Sequence, residues 1–188
     1  TIETLELVRA SRAYFLLGSP SFRKTGQRMR YYNSAYLVAP SGKVMGKYDK
    51  VHLVPYGEYV PLKRYFPFLG KMVEAVGDFD SGNEGQVLSW GDDRVGVLIC
   101  FEAIFPELAR SMVQNGANLL INITNDAWFG KSSAPYQHLS MVVFRAVENH
   151  LAVARAANTG ISAFVDPVGR SWTKPLCLKR RFEPVHCP

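Results

Sequence analysis

Cys100 closes the apolar run Val95-Gly96-Val97-Leu98-Ile99 and is followed by Phe101-Glu102 and then by Pro106, a residue suited to the first turn of a helix. A strand that ends in a nucleophile and turns sharply into a helix presents the sulfur at the edge of a sheet, where backbone N–H groups can face a developing oxyanion. Cysteine suits that role, because its thiolate is intrinsically strong and needs only a modest shift in pKa. The same segment also fits a buried cysteine acting as a small hydrophobe, and on its own it leaves both readings open.

A second group lies in Lys47-Tyr48-Asp49-Lys50-Val51-His52-Leu53-Val54-Pro55-Tyr56-Gly57-Glu58. Lys50 and Glu58, separated by the Pro55-Tyr56-Gly57 bend, can converge on one pocket. A fixed ammonium there would stabilise a thiolate and the anion of a tetrahedral intermediate. Solvated surface charge is the plain alternative for such a lysine. His52, between Val51 and Leu53, reads as a packed histidine rather than a base. A third group, Asn122-Ile123-Thr124-Asn125-Asp126-Ala127-Trp128-Phe129-Gly130, forms a polar and aromatic loop at the end of a buried strand, where open α/β sheets hold ligands. Asn and Gly turn chemistry explains part of it without a ligand. Arg155–Ser162, around Asn158-Thr159-Gly160, reads as a structural turn between strands.

These residues need elements to hold them. Leu5–Ala13 reads as the end of a helix, Tyr14–Leu17 as a short strand and Arg23–Arg30 as a polar, basic loop. Tyr31–Ala39 and Val44–Tyr48 read as a hairpin turning at Pro40-Ser41-Gly42-Lys43. Tyr56–Gly85 is a long connection carrying Tyr59, Tyr65, Phe66 and Phe68, with a short helix over Lys71–Val76; its length marks it as a lid or binding arm. Gln86–Trp90 and Arg94–Cys100 read as strands, Pro106–Asn115 as a helix stopped by Gly116, and Asn118–Thr124 as a buried strand. Gln137–Asn149 is an amphipathic helix, and Leu151–Ala157 and Ile161–Val165 are strands before the turn Asp166-Pro167-Val168-Gly169. Strands alternating with helices from Arg94 onward give an α/β layer structure.

A chain of 188 residues with 47% hydrophobic and 20% charged residues supports one domain with a real core. No stretch reaches the roughly 20 apolar residues of a membrane-spanning helix. The formal charge of +6 favours anionic partners, phosphate or acidic lipid head groups. Its scatter, apart from Arg23–Arg30 and Lys179-Arg180-Arg181, reads as a generic basic surface, and nucleic acid is not expected as a partner. Three cysteines (Cys100, Cys177 and Cys187) match no zinc spacing, so neither metal nor cofactor is expected.

Tyr48-Asp49-Lys50, Cys100-Phe101-Glu102 and Asn125-Asp126-Ala127-Trp128 resemble the carbon–nitrogen hydrolase (nitrilase) superfamily, whose members use a Glu-Lys-Cys triad on an α-β-β-α sandwich. Within it the chain is most similar to the apolipoprotein N-acyltransferase branch, through His52–Pro61, Asn125–Gly130 with Gln137-His138, Arg145–Glu148 and Asn158–Ala163. The resemblance covers roughly Tyr14 to Arg170. It implies an α/β fold, a nitrilase-like α-β-β-α sandwich truncated at its N-terminus. Residues 1–170 would be one partial hydrolase domain without its first strand, and residues 171–188 a divergent tail. It assigns Cys100 as the acylated nucleophile, Lys50 as the triad lysine and Glu58 as an additional essential carboxylate. Phe101, Glu102, Asn125 and Trp128 would support the site or bind substrate. No residue matches the triad glutamate, so this stretch alone is expected to turn over weakly or not at all.

The implied reaction carries a fatty acyl chain from a phospholipid donor, through a cysteine thioester, to the N-terminal amine of a diacylglyceryl-cysteine apolipoprotein. It implies work at a membrane surface, with the domain on the extracytoplasmic face of a bacterial inner membrane. The Tyr56–Gly85 arm would lean on the bilayer through Tyr65, Phe66 and Phe68, with Lys63, Arg64 and Lys71 meeting acidic head groups. Two alternatives stand beside it. One is a soluble nitrilase-type amidase that hydrolyses a small carbon–nitrogen substrate; the other is a non-enzymatic module binding anionic lipid or nucleic acid through the net charge.

Overall fold

The computed structural model describes residues 2–59, 61, 78–173, 177–178 and 184–185. The chain divides into two compact units, Thr1–Asn83 and Glu84–Pro188.

In the first unit, helix α1 (Ile2–Ser11) carries Glu3 in its first turn and Arg9 in its last, each favourable against the helix dipole. It ends where Arg12 takes a left-handed φ of 54°. Three antiparallel strands follow, β1 (Phe15–Thr25), β2 (Arg28–Val38) and β3 (Val44–Asp49), in the order β1-β2-β3. The expected Arg23–Arg30 loop does not exist as such. It is the far end of one long hairpin, paired from Phe15 with Val38 to Thr25 with Arg28 around Gly26-Gln27. Two facts extend the strand beyond its expected end at Leu17. Pro20 is tolerated because β1 is an edge strand. A two-residue loop with Gly26 at φ 62° matches the strand twist, so exposed basic residues are no obstacle to pairing. The expected β2–β3 hairpin is present, and its inner residues Tyr32, Ala35, Leu37, Val38 and Tyr48 are buried.

Most of the long connection after Tyr56 lies outside the described residues, including the expected helix at Lys71–Val76 and the side chains of Lys63, Arg64, Tyr65, Phe66 and Phe68. Where it is described again, the chain runs back along the sheet. The N–H of Phe79 donates to the Glu58 carbonyl (3.0 Å), that of Asp80 to Tyr31 (2.6 Å) and that of Gly82 to Lys50 (2.8 Å). A Cβ at position 82 would come within 2.7 Å of the Asp49 carbonyl carbon, so only glycine allows this approach to the Asp49-Lys50 peptide.

In the second unit, β4 (Val87–Trp90), β5 (Asp93–Ile99), β6 (Leu119–Asn125), β7 (Val153–Asn158), β8 (Ala163–Val165) and β9 (Ser171–Thr173) form one sheet in chain order. β5, β6 and β7 are parallel, while β4, β8 and β9 add antiparallel strands at the two sides. Helices α2 (Pro106–Gln114) and α3 (Ala134–Asn149) provide the crossovers that parallel pairing requires. Parallel strands are covered on both faces and therefore read as continuous apolar runs. Val95, Val97, Leu98 and Ile99 are accordingly all buried, each contributing about 1.5–3 kcal/mol of hydrophobic stabilisation. α2 starts on Pro106 and buries Leu108, Ala109 and Met112; α3 buries Pro135, His138, Val142, Arg145 and Ala146 at helical spacing. The Asp166–Gly169 turn leads into β9, and the pairs Cys177–Leu178 and Pro184–Val185 form a further two-stranded ladder.

Parallel register puts the carboxyl ends of the three middle strands side by side, with Ile99 beside Ile123 and Asn125 beside Asn158. The segments that leave this edge are Cys100–Ile104, Asp126–Gly130 and Thr159–Ser162, which carry most of the residues singled out by their chemistry.

Candidate active site

Cys100 is the first residue after β5 and opens a 3-10 turn, Cys100–Ile104, that leads directly into α2. Its φ of 53° is left-handed, a strained conformation for a residue with a side chain, so its surroundings must hold it. Its thiol is free and half-buried. Glu102 is fully buried and its Oε2 accepts the Ile99 N–H at 2.7 Å, closing the turn on the end of the strand. Phe101 packs edge-on against Phe105, with centroids 5.9 Å apart.

The carbonyl of Cys100 accepts two side-chain hydrogen bonds, from Asn122 Nδ2 on β6 (3.3 Å) and from His138 Nε2 on α3 (3.1 Å). Asn122 Nδ2 also donates to the Leu98 carbonyl at 2.9 Å. Two turns further along α3, Arg145 Nη1 donates to the Ile104 carbonyl at 2.9 Å. One face of one helix thus grips both ends of the turn that holds the cysteine.

Behind this grip lies a buried ionic cluster. Asp126 Oδ1 pairs with His138 Nδ1 (3.1 Å) and accepts from Thr124 Oγ1 (2.9 Å), while Asp126 Oδ2 accepts from Arg155 Nη2 (2.7 Å). Arg155 also donates to Asn122 Oδ1 and, through Nε, to the Ile161 carbonyl (3.1 Å). Burial by itself raises the Asp126 pKa, but the hydrogen bond to His138, the Arg155 charge and the Thr124 hydroxyl together outweigh it and hold the carboxyl below its ordinary value. Burial draws the Arg155 pKa down, offset in part by Asp126; a guanidinium stays cationic at neutral pH regardless. Gly160 must be glycine here, since a Cβ would stand 2.9 Å from the Asp126 Cβ and against its carboxylate.

Asn125 and Trp128 occupy the neighbouring loop. Asn125 Oδ1 accepts the Ala127 N–H at 3.1 Å and caps the short 3-10 turn Asp126–Phe129, so its side chain does turn chemistry. Trp128 is 86% exposed and offers a large apolar face to solvent. Phe129 packs edge-on against the His138 ring.

Lys50 and Glu58 come together in the first unit. The Lys50 side chain is only 1% exposed, and its Nζ lies 2.7 Å from Glu58 Oε2. The same carboxylate accepts the Val54 N–H (2.9 Å) and Asn33 Nδ2 (2.7 Å), so two further donors fix it while it holds the ammonium. The flanking Asp49 accepts from Ser34 Oγ (2.6 Å) and pairs with Lys47 (2.8 Å). Lys50 is therefore not the solvated surface lysine of the plain reading. His52, by contrast, is exposed.

Sequence reasoning singled out Cys100, Lys50 and Glu58 for chemistry but did not foresee the Asp126–His138–Arg155 cluster. A signal existed: Arg155 interrupts an otherwise apolar strand, and a cation there demands a buried anion. Among the described residues no group of His, Cys, Asp and Glu is placed to hold a metal ion, and no helix is long and apolar enough to cross a membrane.

Residues 3–174 match the sequence model of the carbon-nitrogen hydrolase family. The chain is 55% identical over 163 residues to the apolipoprotein N-acyltransferase of Geobacter metallireducens, covering 87% of this chain and 31% of that protein. It is 42% identical over 171 residues to the apolipoprotein N-acyltransferase of Rickettsia typhi, covering 90% of this chain and 34% of the relative. It thus spans about a third of the length of these relatives. Among solved structures it resembles a variant of the amidase from Nesterenkonia sp. AN1 that shows covalent addition of the acetamide moiety of fluoroacetamide at its active-site cysteine. That match has a TM-score of 0.62 and 25% identity, covering 90% of this chain and 59% of the amidase. A further structure of an amidase from Nesterenkonia sp. matches at a TM-score of 0.63 and 24% identity, covering 90% of this chain and 59% of that one, which speaks to the nitrilase-like fold alone. With a family match along nearly its whole length, the chain belongs to the carbon–nitrogen hydrolase family.

Proposed function

We propose that the protein is an apolipoprotein N-acyltransferase in which Cys100 carries the acyl chain. The observation that carries this reading is the left-handed, half-buried Cys100 at the carboxyl end of β5, gripped from α3 and β6. The kinship with relatives bearing that name supports the substrate class.

A general base takes the thiol proton and the Cys100 sulfur attacks the ester carbonyl of a phospholipid. The Lys50 ammonium, fixed by Glu58, and backbone N–H groups of the Cys100–Ile104 turn stabilise the oxyanion. The carbon–oxygen bond breaks, the lysophospholipid oxygen takes the proton, and a thioester remains on Cys100. The free amine of a diacylglyceryl-cysteine then attacks that thioester; it loses a proton to the base, the carbon–sulfur bond breaks and the thiolate is restored. A thioester suits the sequence, because amines attack it readily while a dry pocket spares it from water. Glu102 and Phe101 brace the turn, Asn125 shapes the neighbouring loop, and Trp128 offers a face for an acyl chain. The protein would act at the extracytoplasmic surface of the bacterial inner membrane.

The amidase likeness favours one second reading, hydrolysis of a small amide by the same cysteine. The two are separated by supplying the protein, expressed at its full encoded length, with phospholipid plus a diacylated lipopeptide, or with acetamide. N-acylated peptide without ammonia release is expected. Ammonia release without acyl transfer would replace the acyltransferase with the amidase.

A further inference from the structure

We infer that His138, oriented by Asp126 and Arg155, is a positioning residue that sets the plane of the Cys100–Phe101 peptide, and so aims the Phe101 N–H at the oxyanion formed on the sulfur's substrate. The inference rests on Cys100 being the nucleophile. His138 Nε2 lies 3.1 Å from the Cys100 carbonyl oxygen, which only accepts, so Nε2 carries a proton. The other ring nitrogen fits either protonation state. It donates to Asp126 Oδ1 at 3.1 Å when protonated, and accepts from Arg155 Nη2 at 3.3 Å when not. The donor facing Cys100 is thus kept in both, which an Asp126–Arg155 pair achieves and a lone carboxylate would not.

The geometric consequence is direct. Among the described residues no peptide is cis, so the N–H of Phe101 points opposite to the Cys100 carbonyl. Tethering the carbonyl toward α3 turns the N–H away from it. The left-handed φ of Cys100 shows that the turn needs such a tether, because an untethered residue with a side chain relaxes out of that region. His138 touches no reacting atom in this role; it works through a peptide bond.

Two reactions of Cys100 separate the role from simple structural support. Acylation by phospholipid builds an oxyanion, whereas alkylation by iodoacetamide does not. In the full-length protein, His138→Met is expected to slow acylation about 100-fold, the scale of losing one oxyanion donor, with the alkylation rate unchanged. His138→Gln, whose amide reaches the same carbonyl, is expected to restore most of the acylation rate. Equal acylation by His138→Met and wild type, a parallel fall in both reactions, or a His138→Gln variant as slow as His138→Met would overturn the inference. If His138→Met does not fold, the His138→Gln comparison with wild type decides by the same split between the two rates. Wild-type protein that alkylates but never acylates would instead sink the acyltransferase reading itself.

Discussion

Asp126→Ala is expected to lower stability by about 3–5 kcal/mol, because it strips the carboxylate from a cluster in which Arg155 and His138 are both buried. The cost arises less from the lost attraction than from the guanidinium left without its anion. Asp126→Asn keeps the shape and some hydrogen bonds but removes the charge, and it should lie between wild type and Asp126→Ala. The pH dependence has a definite sign. The carboxyl is held below its ordinary value in the folded protein, so its contribution is complete above the unfolded value of about 3.9 and is lost as pH falls through the lower, folded one. The stability gap between wild type and Asp126→Asn should therefore be flat above about pH 5 and close only below about pH 4. A gap that closes near neutrality would mean that another group dominates.

Glu58→Ala is the second large effect. It leaves the Lys50 ammonium, with a side chain 1% exposed, without the carboxylate 2.7 Å away, a loss on the order of 3–5 kcal/mol. The double replacement Lys50→Met with Glu58→Leu removes both charges and should regain most of that stability. In the proposed reaction activity should not return with it, since the oxyanion would lack the cation assigned to it. Denaturant midpoints and acyl-transfer rates of the three variants separate the two roles. A double variant that is stable and fully active would make the pair structural only.

The parallel core was legible because each element carried its own local signal. Val95–Ile99 is an unbroken apolar run, Pro106 and Gly116 bracket α2, and α3 keeps its stripe. The place of Cys100 at a strand end followed from that same run. The β1–β2 hairpin was not legible, since Arg23, Lys24, Arg28 and Arg30 read as loop when local polarity is the guide. Strand pairing overrides polarity at an exposed edge, and Pro20 signals a break only where both sides of a strand are paired. The Asp126–His138–Arg155 cluster was hidden for a different reason. Its members stand far apart in sequence on β7, on α3 and in the turn that follows β6, and the parallel register brings them to one point. Lys50 illustrates the limit from the other side: sequence places a lysine near a glutamate, but whether it is solvated or buried depends on backbone returning from far along the chain, as Gly82 does over the Asp49-Lys50 peptide.

The central claim, a Cys100 nucleophile served by the Lys50 cation, is tested most directly by intact-mass measurement of the full-length protein after brief exposure to a phospholipid of defined acyl chain. The expected result is a single hydroxylamine-sensitive acyl adduct on Cys100, absent from Cys100→Ala and formed about 100- to 1000-fold more slowly in Lys50→Met. An adduct that persists in Cys100→Ala, or that forms at the wild-type rate in Lys50→Met, would contradict it.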